Sequence, residues 1–265
     1  MKNLMKAQLY QLLKGKKMII LTIIAVLFMQ LVGVLSPLLD GMNTVTFGIL
    51  LTTYSDVGNS LIIFSYAAAA GVIVAIICTG GDFRDKTINY EIMNGYTRFE
   101  IFVAKSFVSI MAGLVTYVIV LFITYATGIV LWGFGTELNF ADVCLRLFSS
   151  LFVEIRLICI FITITYLIRI FWVGIIIAGT YFVIAPEAFG GVGKNSYLLG
   201  VTTFGRLSEY VSWISYTLSE EVEYIYVYGR RLAAGECITT VLTSLGIGFV
   251  ALFIGYFFFK KDDLH

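Results

Sequence analysis

Long apolar runs constrain this chain more than any other feature of its sequence. The chain has 265 residues, of which 59% are hydrophobic and only 13% are charged, whereas soluble domains contain about a quarter charged residues. A helix of about 20 apolar residues crosses the hydrocarbon core of a bilayer. Six runs approach or reach that length, which places the chain in a membrane. The predicted spans are Met18–Leu35, Leu61–Cys78, Phe107–Trp132, Leu147–Ile168, Phe171–Ala185 and Ile238–Phe259.

These spans are predicted to be helices, because lipid offers no partner to an unpaired backbone group. A transmembrane barrel would show segments of about ten residues with alternating polarity, and the runs here are continuously apolar. We therefore expect an all-α integral membrane protein with a single domain over residues 1–265. The fifth span is short and is followed by Pro186, so its limits are left open.

Basic residues predict the orientation of the spans. Most Lys and Arg residues lie on one side if both termini are cytoplasmic, as the positive-inside rule requires. No small-residue cleavage site follows Leu35, so the first apolar run is predicted to be retained rather than removed as a signal peptide. Arg169 interrupts an apolar stretch and predicts a tight cytoplasmic turn between the fourth and fifth spans.

The N-terminal segment, residues 1–17, predicts an amphipathic helix that lies in the inner interface. Leu4 and Leu9 fall on one side, and Lys2 and Lys6 fall largely on the other. Such a helix buries its apolar side at the headgroup boundary and directs its lysines to anionic lipids. The alternative is a frayed basic tail that only sets the topology.

The longest extracellular segment is predicted to be residues 186–237, which are rich in Tyr and Trp. These side chains prefer the membrane–water boundary, so we expect one or two interfacial helices there. The stretch from Ala188 to Asn195 resembles a phosphate-binding loop but lacks its first Gly and its metal-binding hydroxyl, which favours a simple turn. The four cysteines are interpreted as packing residues, and a disulfide between Cys144 and Cys237 is left open.

Catalytic and metal chemistry find little support in the sequence. The single histidine, His265, excludes a histidine metal site or a Ser-His-Asp triad within one chain. We expect no enzyme activity, no metal, no cofactor and no nucleic-acid partner. Glu154 and Arg156 lie early in the fourth span, where they either extend to the outer interface or line a transport pathway.

The most polar stretch of the first half, residues 80–100, is predicted to be a cytoplasmic loop with a short helix. Asp85 or Thr87 would cap this helix, and Asn94 with Gly95 would end it in a left-handed turn. Residues 97–100 read as a capping box that begins the third span. The alternative is a solvated loop whose charges only fix the topology.

A family resemblance rests on this same stretch. The elements Asp82-Phe83-Arg84, Lys86-Thr87-Ile88, Asn94-Gly95-Tyr96-Thr97-Arg98 and Lys105 resemble the loop after the second span in ABC-2 type exporter permeases. The resemblance implies six spans, an N-terminal elbow helix, cytoplasmic termini, and a coupling helix that fits a cleft on a cytoplasmic ATPase subunit. The docking residues that it implies are Asp82, Arg84, Asp85, Lys86, Glu91, Gly95 and Arg98.

The function implied by the resemblance is that of a permease subunit of an ATP-driven exporter in the cell membrane. The chain would work with two copies of a separate ABC ATPase subunit and with a second permease copy or paralogue. The implied cargo is amphipathic or lipid-like, such as an antimicrobial peptide. The alternative is an ion-coupled secondary transporter or channel, which would require acids near the bilayer midplane; only Glu154 comes close.

Overall fold

A computed structural model describes residues 2–14, 20, 22–27, 59–84, 87–132, 140–189, 211–218, 221–228 and 234–261. Most of these residues are helical, and the described part of the chain also contains one pair of antiparallel strands. The elements are α1 (Lys2–Lys14), α2 (Asn59–Arg84), α3 (Thr87–Met93), α4 (Arg98–Trp132), α5 (Phe140–Ile168), α6 (Phe171–Phe189), β1 (Val211–Leu218), β2 (Glu221–Tyr228) and α7 (Ala234–Lys261).

Three described helices are long and apolar enough to cross a membrane. Their apolar portions are Arg98–Thr127 in α4, Leu147–Ile168 in α5 and Cys237–Lys261 in α7. Shorter apolar helices cover Ala67–Gly81 in α2 and Trp172–Phe182 in α6. The chain is therefore a helical membrane protein. Most of the first predicted span lies outside the described residues, of which residues 22–27 are helical.

The centre of the bundle is built on α2 and α5. Helix α5 packs against α2, α4, α6 and α7, and α2 packs against α4 and α6. The inward side of α2 carries small or β-branched side chains such as Ala68, Val72 and Ala75, all of them fully buried. Small side chains allow helix backbones to approach closely in lipid, where packing rather than water exclusion holds helices together.

Helix α7 lies along α5 and exposes its other face. The hydroxyl of Thr163 in α5 donates a 2.8 Å hydrogen bond to the carbonyl of Ala251 in α7. Large apolar side chains on the opposite face, including Phe249 and Phe253, are exposed. An exposed apolar helix face is what a bilayer stabilises, so this face indicates a surface that contacts lipid or another membrane helix.

Several helix limits differ from those predicted. Helix α2 continues past Cys78 to Arg84, and α6 continues past Pro186 to Phe189. The predictions ended these segments where hydropathy fell, but a helix continues for as long as its backbone hydrogen bonds are satisfied. Helix α6 runs past Pro186, but its described apolar part, Trp172–Phe182, is shorter than a membrane span, so the limits of the fifth span stay a prediction.

The connection between α5 and α6 is the predicted tight turn. Only Arg169 and Ile170 separate the two helices. Arg169 has a φ of 59°, which is the left-handed region that L-residues other than glycine rarely adopt, and its amide donates a 2.8 Å hydrogen bond to the carbonyl of Thr165. A left-handed residue is a common way to end a helix, and this one reverses the chain.

Residues 211–228 depart from the all-α prediction. Strands β1 and β2 pair antiparallel, with Val211 opposite Tyr228 and Leu218 opposite Glu221. The expected interfacial helices are therefore wrong for this stretch. Its Val, Ile, Tyr, Trp and Thr residues are the types enriched in strands, and the prediction gave their interfacial preference more weight than their strand preference.

The described cysteines are all free thiols. Cys144 is exposed whereas Cys237 is buried, and no disulfide joins them. Both cysteines lie near the beginnings of their helices, α5 and α7, but the two sulfurs occupy different environments.

Candidate functional site

The short helix α3 ends in the left-handed turn predicted for Asn94 and Gly95. Gly95 has a φ of 87°. The amide of Gly95 donates to the carbonyl of Ile92 at 3.0 Å, and the amide of Tyr96 donates to the carbonyl of Glu91 at 3.3 Å. These two bonds form a Schellman motif, which satisfies carbonyls that would otherwise lack partners at a helix end. Gly95 is required there because it has no Cβ to clash.

The next helix, α4, begins with the predicted capping box. The hydroxyl of Thr97 accepts a 3.3 Å hydrogen bond from the amide of Glu100. The carboxylate of Glu100 accepts a 3.1 Å bond from the amide of Thr97 and a 3.0 Å bond from its hydroxyl. This reciprocal arrangement satisfies amides that have no partner within the helix. Because the Schellman turn and the capping box follow each other directly, the direction change between α3 and α4 is tightly defined.

A polar junction, formed by Gln8, Glu91 and Lys105, joins α1, α3 and α4. The ammonium of Lys105 lies 3.2 Å from the carboxylate of Glu91, and the two side chains are only 2% and 16% exposed. The amide of Gln8 donates a 3.3 Å hydrogen bond to the same carboxylate oxygen. A buried ion pair is screened only weakly by salt, so this polar junction links α3 to the first part of α4, the longest of the described helices.

The opposite side of α3 is open. Ile88 is buried against the bundle, whereas Tyr90 is 67% exposed and Met93 is 81% exposed. Phe99, on the first turn of α4, is also exposed. Tyr90 and Met93, three positions apart on one side of the helix, form what we call the outer face of α3. Exposed large apolar side chains next to one another often mark a surface that binds another protein.

A further hydrogen bond links the start of α4 to the end of α7. The guanidinium of Arg98 donates a 3.0 Å hydrogen bond to the carbonyl of Lys260. Beside it, aromatic rings from α2, α4, α5 and α7 pack edge to face or tilted, with centroids 4.8 to 5.9 Å apart. Such pairs add about 0.5–1.5 kcal/mol each beyond their burial. The rings belong to Phe83, Phe99, Phe102, Tyr166, Tyr256 and Phe259.

The predicted docking residues divide into four groups. Asp85 and Lys86 lie outside the described residues, and Asp82 and Arg84 lie in the last turn of α2, where only the backbone is described. Gly95 forms the turn that ends α3. Glu91 and Arg98 make contacts within the chain, to Lys105 and to Lys260 respectively.

The second predicted pair, Glu154 and Arg156, lies inside the bundle. Both residues are 0% exposed, so neither side chain reaches the outer surface. They lie two positions apart on α5, which places them on different faces of the helix. Glu154 faces α2 and α4, because its carboxylate contacts the position where a Cβ of Gly71 would stand. The backbone of Arg156 lies beside Gly248 of α7.

Two glycines bring α2 and α4 together next to Glu154. A Cβ on Gly71 would lie 2.9 Å from the carbonyl oxygen of Gly113, and a Cβ on Gly113 would lie 2.8 Å from the carbonyl oxygen of Gly71. We call this contact the glycine crossing. Carbon and oxygen atoms that are not bonded to each other pack at about 3.5 Å or more, so neither position has room for a methyl group.

Neither Gln8 nor the pairing of Gly71 with Gly113 could be recognised from the sequence. Glycines in the apolar runs signalled close approach in general, without indicating which two would meet. Gln8 is an uncharged residue in a Lys-rich segment, and no sequence pattern distinguishes it from its neighbours. Within the described ranges, no group of three His, Cys, Asp or Glu residues could hold a metal ion.

Comparisons with models of known protein families, with characterised proteins and with solved structures gave no match. The resemblance to ABC-2 permeases therefore rests on the residues quoted above and stays a prediction. The geometry that bears on function is that of α3 and of the enclosed Glu154.

Proposed function

We propose that this chain is the permease subunit of an ATP-driven ABC exporter and that α3 is the helix on which a separate cytoplasmic ATPase subunit acts. The observation that carries the proposal is the two-sided character of α3. Its inner side is tied to α4 by the ion pair of Glu91 and Lys105, and its outer side exposes Tyr90 and Met93.

The polar junction would transmit a movement of α3 to the neighbouring helices α4 and α1. A force on the outer face of α3 reaches α4 through the ion pair and α1 through Gln8. The Arg98–Lys260 bond extends the same connection to α7. In this proposal, the docking surface is the apolar outer face of α3 together with Asp82, Arg84, Asp85 and Lys86, while Glu91 and Arg98 act as internal ties.

The complete assembly in this proposal has six spans, cytoplasmic termini, two ATPase subunits and two permease copies or paralogues in the cell membrane. ATP-driven closure of the ATPase pair would move α3 and tilt the spans. The cargo, an amphipathic or lipid-like molecule such as an antimicrobial peptide, rests on the resemblance alone. An adjacent reading frame for an ABC ATPase would favour this function over the ion-coupled transporter.

Site-specific cross-linking tests the docking surface. A photoreactive amino acid at Tyr90 or Met93 is expected to cross-link in intact cells to a protein that mass spectrometry identifies as an ABC ATPase. The matched control is the same amino acid at Phe122, an exposed position on the membrane part of α4. An ATPase adduct from Phe122 equal to that from Met93, or no ATPase adduct from either α3 position, would refute the proposal.

A further inference from the structure

Within the described part of the chain, the side chain of Glu154 is enclosed without a polar partner. Its side chain is 0% exposed, and neither carboxylate oxygen has a hydrogen-bond partner among the described residues. Burying a polar group without a hydrogen bond costs a few kcal/mol, and burying an unpaired charge costs far more. A structural role would be served better by Leu or Met, so the carboxyl requires a functional explanation.

Among the residues that the structure describes, few other titratable groups lie near Glu154. Tyr117 of α4 lies beside it, since the position of a Cβ on Gly71 would contact both side chains. The described side chains of α2 next to Gly71 are apolar. Arg156 lies on a different face of α5, beside α7, and Tyr181 of α6 interacts with Arg156. Between Ile238 and Phe259, α7 has no charged residue.

The glycine crossing decides which ligand can occupy this position. There is no room for a methyl group at Gly71, so a metal ion, which takes about six oxygen ligands in a hard-cation site, does not fit. An organic cation is larger still. A proton needs no space, and it removes the charge that makes the burial costly.

We propose that Glu154 is a proton-binding site whose occupancy is coupled to the separation of α2 from α4 and α5. While the helices are packed, the carboxyl holds a proton and is neutral. When they separate, water reaches the carboxyl, the proton leaves to solvent and the carboxylate is stabilised by hydration. This inference does not depend on the ATPase, because it concerns only the contacts within the bundle.

The direction of the coupling follows from linkage. The packed arrangement binds the proton more tightly, so acid favours packing and alkali favours separation. A ligand biases a conformational equilibrium only through its different affinity for the two states. The maximum effect for one proton is about tenfold in the packing equilibrium for each pH unit.

Infrared spectroscopy of the full chain in nanodiscs of ether-linked lipids, which have no ester carbonyl to mask the band, tests the proton directly. The wild type is expected to show the C=O stretch of a protonated carboxylic acid at about pH 7, and Glu154→Gln is expected to lack it. The control Glu91→Gln, which removes the carboxylate paired with Lys105, is expected to retain the band. Wild-type spectra without any protonated-carboxyl band at that pH would overturn the proposal, and this measurement needs no variant to fold.

Thermal unfolding tests the coupling. Between about pH 5 and about pH 9, the unfolding midpoint of Glu154→Gln is expected to rise relative to that of the wild type, because Gln cannot ionise. The two midpoints are expected to agree at the acid end. Glu91→Gln should instead lie below the wild type at the alkaline end, since it breaks an ion pair. Parallel pH profiles for the wild type and Glu154→Gln would refute the coupling. A failed ATPase cross-link would leave both readouts unchanged, so the two proposals fail separately.

Discussion

Adding one methyl group at the glycine crossing is the sharpest test of the bundle's packing. In Gly71→Ala, the new Cβ would lie 2.9 Å from the carbonyl oxygen of Gly113 and 3.3 Å from the Cβ of Tyr117, and would contact the Glu154 carboxylate more closely still. The carboxylate can rotate away, but the carbonyl belongs to the backbone of α4. Relief therefore requires α2 and α4 to move apart by about half an ångström to reach ordinary contact.

The expected cost follows from two opposing effects. Overpacking a well-packed interior costs about 1–3 kcal/mol, and Ala regains about 0.5–1 kcal/mol over Gly in a helix interior. Gly71→Ala is therefore expected to destabilise the chain by about 1–2 kcal/mol. The matched control is Gly246→Ala in α7, where nothing lies within 4 Å of the added Cβ, so only the favourable helix effect remains.

The assay is thermal or denaturant unfolding of both variants in the same nanodiscs. Gly71→Ala should unfold at a lower midpoint than the wild type, and Gly246→Ala should unfold at the same midpoint or a higher one. If the unfolding midpoints of the two variants shift in the same direction, α2 and α4 do not meet at these glycines. The enclosure of Glu154, which depends on that contact, would then be wrong as well.

Three further predictions concern α3 and its ties. Lys105→Met leaves the buried Glu91 carboxylate without its cation, with the Gln8 amide still donating to it, and should cost about 3 kcal/mol in unfolding assays. Part of this loss should be recovered in the double variant Glu91→Gln/Lys105→Met. Gly95→Ala forces a side chain into a φ of 87° and should cost about 1 kcal/mol. The amides of α3 should therefore exchange hydrogen faster in the variant than in the wild type. Equal exchange rates in the two proteins would contradict the Schellman turn. Thr97→Ala removes the cap of α4 and should cost about 1 kcal/mol by unfolding, whereas Thr97→Ser should retain most of the stability.

Features encoded by adjacent residues could be predicted from the sequence. The turn at Asn94–Gly95, the capping box at Thr97 and the reversal at Arg169 each depend on one or two residues and on backbone geometry, which local sequence determines. Five of the six apolar runs fall within described helices, because hydropathy and length suffice to predict a helix in lipid.

Features that depend on distant residues could not be predicted. The contact of Gly71 with Gly113 joins two helices whose relative rotation no local pattern specifies, and the enclosure of Glu154 follows from that contact. The strands at residues 211–228 were missed for a different reason: aromatic residues favour both strands and membrane interfaces, and composition alone does not choose between them. The hydrogen bond from Gln8 to Glu91 joins residues 83 positions apart, and no local pattern in either segment predicts it.

The short connection at Arg169 limits how the bundle can move. Two extended residues and the bonds that flank them reach only about 7–11 Å, so the joined ends of α5 and α6 cannot open a gap wide enough for a large molecule. During any rearrangement, the ends of α5 and α6 next to Arg169 therefore stay close together, and the two helices can separate only by pivoting about that end. A route for cargo between these two helices would therefore widen most at the ends farthest from Arg169.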